Sequence, residues 1–250
     1  MTRLPSLFGF LTLCLVLNGC TTQRASYDEQ PYKIGTGSRI DILDGRERFY
    51  KGHRPRGWTL SGLDEDEIFS SKKQVRHIFQ TQKEGQQGLH IQNFKQDYIL
   101  ARYTNTRLLV TPYLSWYWNV SEHSGTRHPV RLLIGFYGGT AQSPALAQEQ
   151  FVWNKDKLPP YDRLLAIGFD DLALKRATLY PMGNLKYYVQ RGGIEQTNQW
   201  YFEAADLSII YRMAWPQDDA GKTFITFVGF WADNQPGIGG ITFSKITLSR

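Results

Sequence analysis

The carboxylates near the ends of predicted strands are the residues best suited to acid–base chemistry. Hydrolysis of a glycosidic bond needs two carboxylates that face each other across roughly 5–9 Å. Asp170, Asp171 and Asp233 are candidates, and a further adjacent pair is formed by Asp218 and Asp219 in a turn sequence. Adjacent aspartates at the end of a strand point in opposite directions, so neither adjacent pair is a ready-made catalytic couple. We therefore assign no catalytic residue, and a polysaccharide hydrolase stays an alternative that rests on these acids.

Histidines and short acidic runs are the residues that could hold a metal ion. His123 and His128 flank a Ser-Gly-Thr loop, but no acidic or histidine partner lies at helical or strand spacing from them. The acidic run at residues 64–67 and Asp233 could each ligate calcium. The run is better explained as an acidic loop or a helix start, and Asp233 as a residue that folds a turn with its own side chain. We predict no bound metal and no cofactor, with calcium left open.

The aromatic residues at positions 113–120 divide between two faces of a predicted strand, because successive side chains point in opposite directions. One face carries four apolar residues: Leu114, Trp116, Trp118 and Val120. This is the better core face, so we predict that both tryptophans pack inside. Tyr113 and Tyr117 point the other way beside small polar residues, and this geometry suits stacking against a sugar ring. We predict Tyr113 and Tyr117 as ligand-binding residues; the alternative is that Tyr117 merely covers the sheet.

Cys20 follows a stretch of sequence that predicts a covalent modification of its thiol group. Arg3 gives a positive start and residues 7–17 form a short apolar run, which together with a small residue before the cysteine indicate a secretory signal peptide. The run is shorter than the roughly 20 apolar residues that span a bilayer. Residues 17–20, Leu-Asn-Gly-Cys, resemble the lipobox of bacterial lipoproteins, whose cysteine receives a diacylglyceryl group and becomes the acylated amino terminus after cleavage. The resemblance implies lipidation of Cys20.

The expected removal of residues 1–19 leaves 231 of the 250 residues. A protein with such a signal is expected outside the cytoplasm. Loss of Arg3 lowers the formal net charge from +6 to +5, which suits anionic lipid headgroups or acidic glycans and does not indicate nucleic acid. Cys14 leaves with the signal and Cys20 is the lipid site, so no cysteine remains for a disulfide or thiolate catalysis. By resemblance to enterobacterial lipoproteins, an aspartate after the cysteine would favour the inner membrane. Thr21 stands there, so we expect the outer membrane, facing the periplasm.

The remaining chain predicts a tether followed by one all-β domain. Residues 20–38 are polar and lack periodicity, which predicts a flexible tether. Residues 39–56 are rich in Arg and Lys, either a patch for phosphate or carboxylate groups or, as we favour, a solvated irregular segment. Beyond them, the spacing of short β-like runs favours a single antiparallel sandwich over residues 39–250, with one helix at residues 144–152. The predicted strands cover residues 75–81, 89–94, 97–103, 108–120, 130–137, 164–169, 185–190, 207–214, 223–231 and 241–248.

A family resemblance supports this fold. Residues 112–120, with their tryptophan pair, resemble the centre of DUF3047, an uncharacterised bacterial family. Further matching features follow in order: residues 131–136, Gly192, Gly193, Trp200, Glu203, Leu207, residues 232–235, Ile241 and Phe243. The resemblance covers residues 75–250 and implies a jelly-roll-like sandwich similar to carbohydrate-binding modules. It implies no reaction.

Three functional hypotheses follow from these patterns. The leading one is a cell-envelope lipoprotein, held to the membrane by lipid, whose non-catalytic sandwich binds a glycan or another envelope component. The second is a hydrolase of envelope polysaccharide that uses Asp170, Asp171 or Asp233. The third is a scaffold whose sheet edge pairs with another protein by strand addition. We favour binding over catalysis because no sequence motif identifies a reaction.

Overall fold

The described fold consists mainly of β-strands that form two sheets, and the chain crosses between the sheets several times. The computed structural model describes residues 38–69, 76–144, 153–235 and 239–250. Its strands are β1 (Arg39–Asp44), β2 (Trp58–Ser61), β3 (Ile78–Lys83), β4 (Gln86–Gln92), β5 (Tyr98–Arg107), β6 (Tyr113–Val120), β7 (Val130–Tyr137), β8 (Arg163–Asp170), β9 (Leu179–Met182), β10 (Leu185–Gly192), β11 (Trp200–Asp206), β12 (Phe224–Ala232) and β13 (Gly240–Ser249). Two α-helices, α1 (Glu65–Ile68) and α2 (Leu207–Ala214), and two short 3-10 turns complete the described elements.

Two sheets face each other as a β-sandwich. The six-stranded sheet runs β11-β6-β13-β4-β3, and β1 pairs with the second half of β13. The seven-stranded sheet runs β2-β5-β12-β7-β8-β10-β9. Every pair is antiparallel except β8 with β10, which is parallel. The prediction of an all-β, jelly-roll-like sandwich is confirmed, with this parallel pair as an addition.

The hydrophobic core lies between the two sheets. Trp116 and Trp118 are fully buried there, with their rings edge to face at 5.6 Å, so the predicted inward direction of both is confirmed. The ring of Trp118 contacts Phe243 of the same sheet and Phe169 of the opposite sheet. Aromatic side chains bury more area than any others, so these contacts supply much of the force that holds the sheets together.

The alternate residues of β12 are apolar on both sides, which predicts a strand covered on both faces, with Ile225 on the face of Phe227 and Trp231. The strand is covered on both faces, but Ile225 lies on the other face. Ile225 packs in the central core together with Val228 and Phe230, whereas Phe227 and Trp231 pack on the outer face of the seven-stranded sheet. The pairing of β12 shifts between Ile225 and Phe227, which marks a β-bulge. A bulge inserts one extra residue and reverses the alternation beyond it. Simple parity therefore misplaces Ile225.

Residues 207–214 form helix α2, so the strand predicted for them is wrong. The carboxylate of Asp206 accepts hydrogen bonds from the backbone N–H groups of Ser208 (2.9 Å) and Ile209 (3.2 Å). This is an N-cap, which satisfies backbone donors that a strand would have left to a neighbour. The buried residues of the helix recur at helical spacing: Leu207, Ser208, Ile210, Tyr211 and Ala214. The cap and this period together select the helix.

Several predictions lie outside the described residues. Cys20, the signal segment and nearly all of the tether precede Ser38, and residues 145–152 contain all but the first position of the helix predicted at 144–152. Among the described residues, no helix is long and apolar enough to cross a membrane.

The sandwich has two ends, which we name by the two ends of β6. The Tyr113 end also carries Asp206 and Ser249, which pair with Tyr113 from β11 and β13. The Val120 end carries Ile241, which pairs with Val120. The loops and helix α2 that join the sheets lie at these ends, whereas the middle of each sheet presents a flat outer face.

Candidate functional site

Both predicted ligand-binding tyrosines lie on the outer face of the six-stranded sheet. Tyr113 is 47% exposed and Tyr117 is 37% exposed, in contrast to the buried tryptophans that alternate with them. Their outward direction is therefore as predicted. Four residues at about 3.3 Å each separate them by about 13 Å along the strand. One sugar ring cannot contact both, so the two tyrosines mark two positions along an extended surface.

Phe202 of β11 is the aromatic partner of Tyr117. The register places the two residues directly opposite each other, and their ring centroids are 4.9 Å apart at an interplanar angle of 49°. Phe202 is 56% exposed, so it and Tyr117 form an exposed aromatic pair on the outer face of the sheet. In the sequence, Phe202 is marked only by its position next to Glu203, a residue that the structure buries. The strand pairing that brings it to Tyr117 spans 85 residues and is not visible in the sequence.

A shallow groove of about 230 Å3 begins at this aromatic pair. Its polar lining comes from β1, β6 and β13: Arg39, Ser115, Lys245, Thr247 and Ser249. The pairing of β13 with β6 shifts between Phe243 and Ile246, so a bulge places Lys245 on the outer face beside Tyr117. Tyr113 pairs with Ser249 and stands at the end of the groove. We call this surface, with Tyr113, Tyr117 and Phe202, the aromatic groove.

The polar side of the aromatic groove is held in place by contacts with β1. Arg39 donates to Asp41 through Nε at 3.0 Å and through Nη2 at 2.9 Å. The hydroxyl of Thr247 donates to the same carboxylate at 3.3 Å. A sugar presents apolar C–H faces and a rim of hydroxyl groups, so aromatic rings beside fixed hydroxyl and charged groups match both parts. Among the described residues that line the groove there is no carboxylate.

The acids considered for catalysis each have a cationic partner. Asp233 pairs with buried Arg131 (2.5 Å), and Asp171 pairs with Lys175 (2.8 Å). Asp170 is almost fully buried and lies 3.5 Å from the same lysine; burial raises the pKa of its carboxyl, and Lys175 opposes that shift. Asp218 binds Arg163 at 2.7 Å, and this hydrogen bond lowers the pKa of Asp218.

Two of the aspartate sites are turns, as predicted. The carboxylate of Asp233 accepts from the backbone N–H of Gln235 (3.2 Å), and that of Asp219 accepts from the backbone N–H of Gly221 (2.8 Å). Both are Asx turns, in which a short side chain bonds the backbone two residues further on. This geometry accounts for the occurrence of aspartate at both positions.

The predicted metal candidates do not converge. The rings of His123 and His128 lie 4.8 Å apart, and burial lowers the pKa of both imidazoles. Among residues 38–69, 76–144, 153–235 and 239–250, no three metal-ligating side chains come together. In the acidic run, Glu65 bonds Arg54 (2.5 Å) and Asp66 bonds Lys51 (3.0 Å), and residues Glu65–Ile68 form α1. The prediction of a helix start is thus confirmed.

The basic segment at residues 39–56 is largely neutralised within the domain. Four of its cations have carboxylate partners: Arg39, Arg46, Lys51 and Arg54. Part of the segment is β1, so it is more ordered than an irregular surface loop. A phosphate or carboxylate ligand would have to compete with these internal ion pairs, which weakens the interpretation of the segment as a binding patch.

Comparisons with known proteins add little beyond the fold. No family model matches the chain, and no curated protein matches it. Among solved structures, it is similar to the family 12 xyloglucanase from Bacillus licheniformis in complex with ligand, with a TM-score of 0.41 and 10% identity over 85% of this chain and 99% of that chain. It is also similar to the family GH12 endoglucanase 3 from Trichoderma harzianum, with a TM-score of 0.38 and 10% identity over 69% of this chain and 82% of that chain. For a double-cysteine mutant of ENZbleach xylanase, the TM-score is 0.36 and the identity 8%, over 86% of this chain and 88% of that chain.

Proposed function

We propose that this protein is a lipid-anchored protein of the bacterial cell envelope whose sandwich binds a glycan in the aromatic groove without cleaving it. The observation that carries the binding function is the exposed pair Tyr117 and Phe202, with ring centroids 4.9 Å apart, beside a row of polar side chains. Large exposed aromatic side chains are costly to leave in water, and they are the groups that stack on sugar rings.

The anchor rests on the sequence before the domain. The short apolar run at residues 7–17 and Cys20 support lipidation. The resemblance to DUF3047 implies a sandwich similar to carbohydrate-binding modules and implies no reaction. Mass spectrometry of the protein purified from membranes tests the anchor: the expected amino terminus is an acylated Cys20, and an unmodified Cys20 contradicts it.

Non-catalytic binding agrees with the state of the acids. Asp171, Asp218 and Asp233 bond cations, whereas the buried carboxylate of Asp170 lies 3.5 Å from Lys175 with no hydrogen-bond partner among the described residues. None of these acids lines the aromatic groove. A glycosidase needs one carboxyl to give a proton and a second to act as a base or nucleophile on the same substrate. The groove offers hydroxyl groups and cations in place of that pair.

A binding panel read at two salt concentrations tests the proposal. The full chain, in detergent, is titrated with peptidoglycan, lipopolysaccharide and exported polysaccharides. We expect saturable binding that persists at high salt, because stacking on aromatic rings is not screened by ions. Binding that disappears with salt would assign recognition to the basic segment instead, and absence of binding to every glycan would contradict the proposal.

Tyr50 provides a matched control for this panel. Its ring is also exposed, and it stacks on His53 at 4.7 Å, away from the groove. Tyr50→Ala removes a tyrosine of similar exposure and should leave glycan affinity unchanged. Equal losses of affinity in Tyr50→Ala and Tyr117→Ala would show that the effect is not specific to the groove.

A further inference from the structure

The Tyr113 end of the sandwich carries an exposed apolar patch. Its four members are about half exposed: Leu109, Val110, Ile209 and Met213. Leu109 and Val110 lie in the turn between β5 and β6, and the other two lie on helix α2. The backbone N–H of Leu207 bonds the carbonyl of Pro112 at 2.8 Å, so the turn and the helix adjoin. We call these four residues the end patch.

Helix α2 presents the patch by its amphipathic construction. Its buried face includes Ile210 and Tyr211, whereas Ile209 and Met213 lie one turn apart on the opposite face with Arg212 between them. A surface helix normally places polar residues on that face. Two large apolar side chains there, next to two more in the neighbouring turn, indicate a surface that is covered when the protein works.

The charges around the end patch are positive. Arg212 and Arg107 lie at this end, and neither has a carboxylate partner among the described residues. The acids of the same end are engaged: Asp206 caps α2, Asp218 binds Arg163, and Asp219 pairs with a lysine. An apolar surface with unpaired arginines at its border complements a bilayer that contains anionic phospholipid.

The described chain begins at the same end of the sandwich as the end patch. Arg39 pairs with Ser249, and the carbonyl of Ser38 accepts from the backbone N–H of Arg250, so the described chain starts at the Tyr113 end. Eighteen residues lead from Cys20 to Ser38, and in any conformation they reach at most about 65 Å. A lipid on Cys20 would therefore keep Ser38, and with it the Tyr113 end, within about 65 Å of the bilayer surface.

We propose that the end patch docks on the lipid bilayer that holds the anchor; this inference rests on the proposed lipidation of Cys20. In the docked state, Val110 and Ile209 enter the headgroup region and the two arginines contact phosphate groups. The strands then stand away from the membrane. The Tyr113 end of the aromatic groove lies nearest the bilayer, and Tyr117 with Phe202 lies about 13 Å further along the strands.

An exposed apolar residue at the other end provides the control. Leu174 is 96% exposed in the 3-10 turn Ala173–Lys175, which follows β8 at the Val120 end. A strand of eight residues is about 26 Å long, so this leucine lies about that far from the end patch. A leucine that merely partitions into lipid whenever exposed would behave as the end patch does, whereas docking in one orientation keeps position 174 in water.

The experiment measures the depth of single spin labels in vesicles. The cleaved chain is expected to hold no cysteine except lipidated Cys20, so Val110→Cys, Ile209→Cys and Leu174→Cys each add one reactive thiol for a nitroxide. The full lipidated protein is reconstituted into vesicles of zwitterionic and anionic phospholipid. Relaxation by oxygen is compared with relaxation by a water-soluble nickel complex, because oxygen concentrates in the bilayer and nickel in water.

The expected result is a severalfold higher ratio of oxygen to nickel accessibility at positions 110 and 209 than at position 174. Vesicle-bound protein whose three labels all lie in water would overturn the docking and leave the anchor standing. Failure to bind vesicles at all would overturn both. Spin–spin broadening at position 209 between copies, with no contact to lipid, would show that a second copy covers the end patch and would also overturn the proposal. Glycan titration is an independent readout of the aromatic groove.

Discussion

The buried ion pair between Arg131 and Asp233 offers a sharp test of how the sandwich is stabilised. Nη1 of Arg131 donates to Asp233 at 2.5 Å, and the arginine is wholly inaccessible to solvent. Its guanidinium also lies against the face of Trp231, 4.7 Å from the ring centroid. Its Nε and Nη2 atoms are buried without a hydrogen-bond partner among the described residues. The carboxylate is therefore the main compensation for a buried charge.

Asp233→Asn removes that charge and keeps the shape of the side chain. The asparagine oxygen can still accept from the N–H of Gln235, so the turn is preserved. Loss of one partner from a buried pair costs about 3–5 kcal/mol, because the remaining charge is left uncompensated. That is a large part of the roughly 5–15 kcal/mol that holds a domain folded. In urea denaturation we expect the midpoint concentration to fall, while the slope of the free energy of unfolding against urea concentration stays unchanged.

A double variant and an exposed pair complete this test. Arg131→Met combined with Asp233→Asn should cost well below the sum of the two single changes, because the second change removes the stranded charge. Asp66→Ala breaks an exposed pair with Lys51 and should cost less than about 1 kcal/mol. The reasoning is refuted if Asp233→Asn costs no more than Asp66→Ala, or if the two changes at Arg131 and Asp233 are additive.

Two further predictions concern the helix cap and the response to acid. Asp206→Ala should cost about 0.5–2 kcal/mol in urea denaturation, since it leaves two backbone N–H groups of α2 without their cap; an unchanged midpoint would contradict the N-cap. Burial, with Lys83 nearby, lowers the pKa of His90 to about 4, so the unfolded chain binds a proton there between pH 6.5 and 4 and the folded chain does not. Stability should therefore fall as the pH drops through this window, by at most roughly 3 kcal/mol from this residue. In His90→Gln, the urea midpoint should depend less steeply on pH than in the unchanged protein. An identical dependence in the variant would show that His90 does not cause the loss of stability.

Local alternation predicted the directions of side chains where the strand is regular. In β6 the burial alternates with a period of two from Tyr113 to Trp118, so the burial of Trp116 and the exposure of Tyr117 both follow from sequence parity. In β12 the same reasoning fails at Ile225, because a bulge adds one residue that no composition signal announces. The alternation of residues therefore predicts the directions of side chains only along a stretch of strand without a bulge.

Helix α2 shows a second limit. Its sequence is rich in β-branched and aromatic residues, which favour a strand by propensity. The helical period of Leu207, Ile210, Tyr211 and Ala214 was nevertheless present, and Asp206 before it is a preferred N-cap residue. Weighing the cap and the period above propensity would have found the helix.

Long-range pairing explains what the sequence could not supply at the candidate site. Phe202 reaches Tyr117 because β11 pairs with β6, and Thr247 joins them from the other side through β13. Arg131 and Asp233 are 102 positions apart. Such contacts depend on the topology of both sheets, which local patterns do not determine. The sequence therefore predicted the two tyrosines that β6 contributes to the aromatic groove, but not the residues that β11 and β13 contribute.

Glycan affinity of a groove variant tests the central claim most directly. Once the panel has identified a bound glycan, its Kd is measured for the full chain and for Tyr117→Ala/Phe202→Ala. Both rings are surface residues, so the unfolding midpoint should stay close to that of the unchanged protein. We predict at least a tenfold rise in Kd, equivalent to about 1.4 kcal/mol, with Tyr50→Ala unaffected. An unchanged Kd in a folded double variant would contradict glycan binding in the aromatic groove.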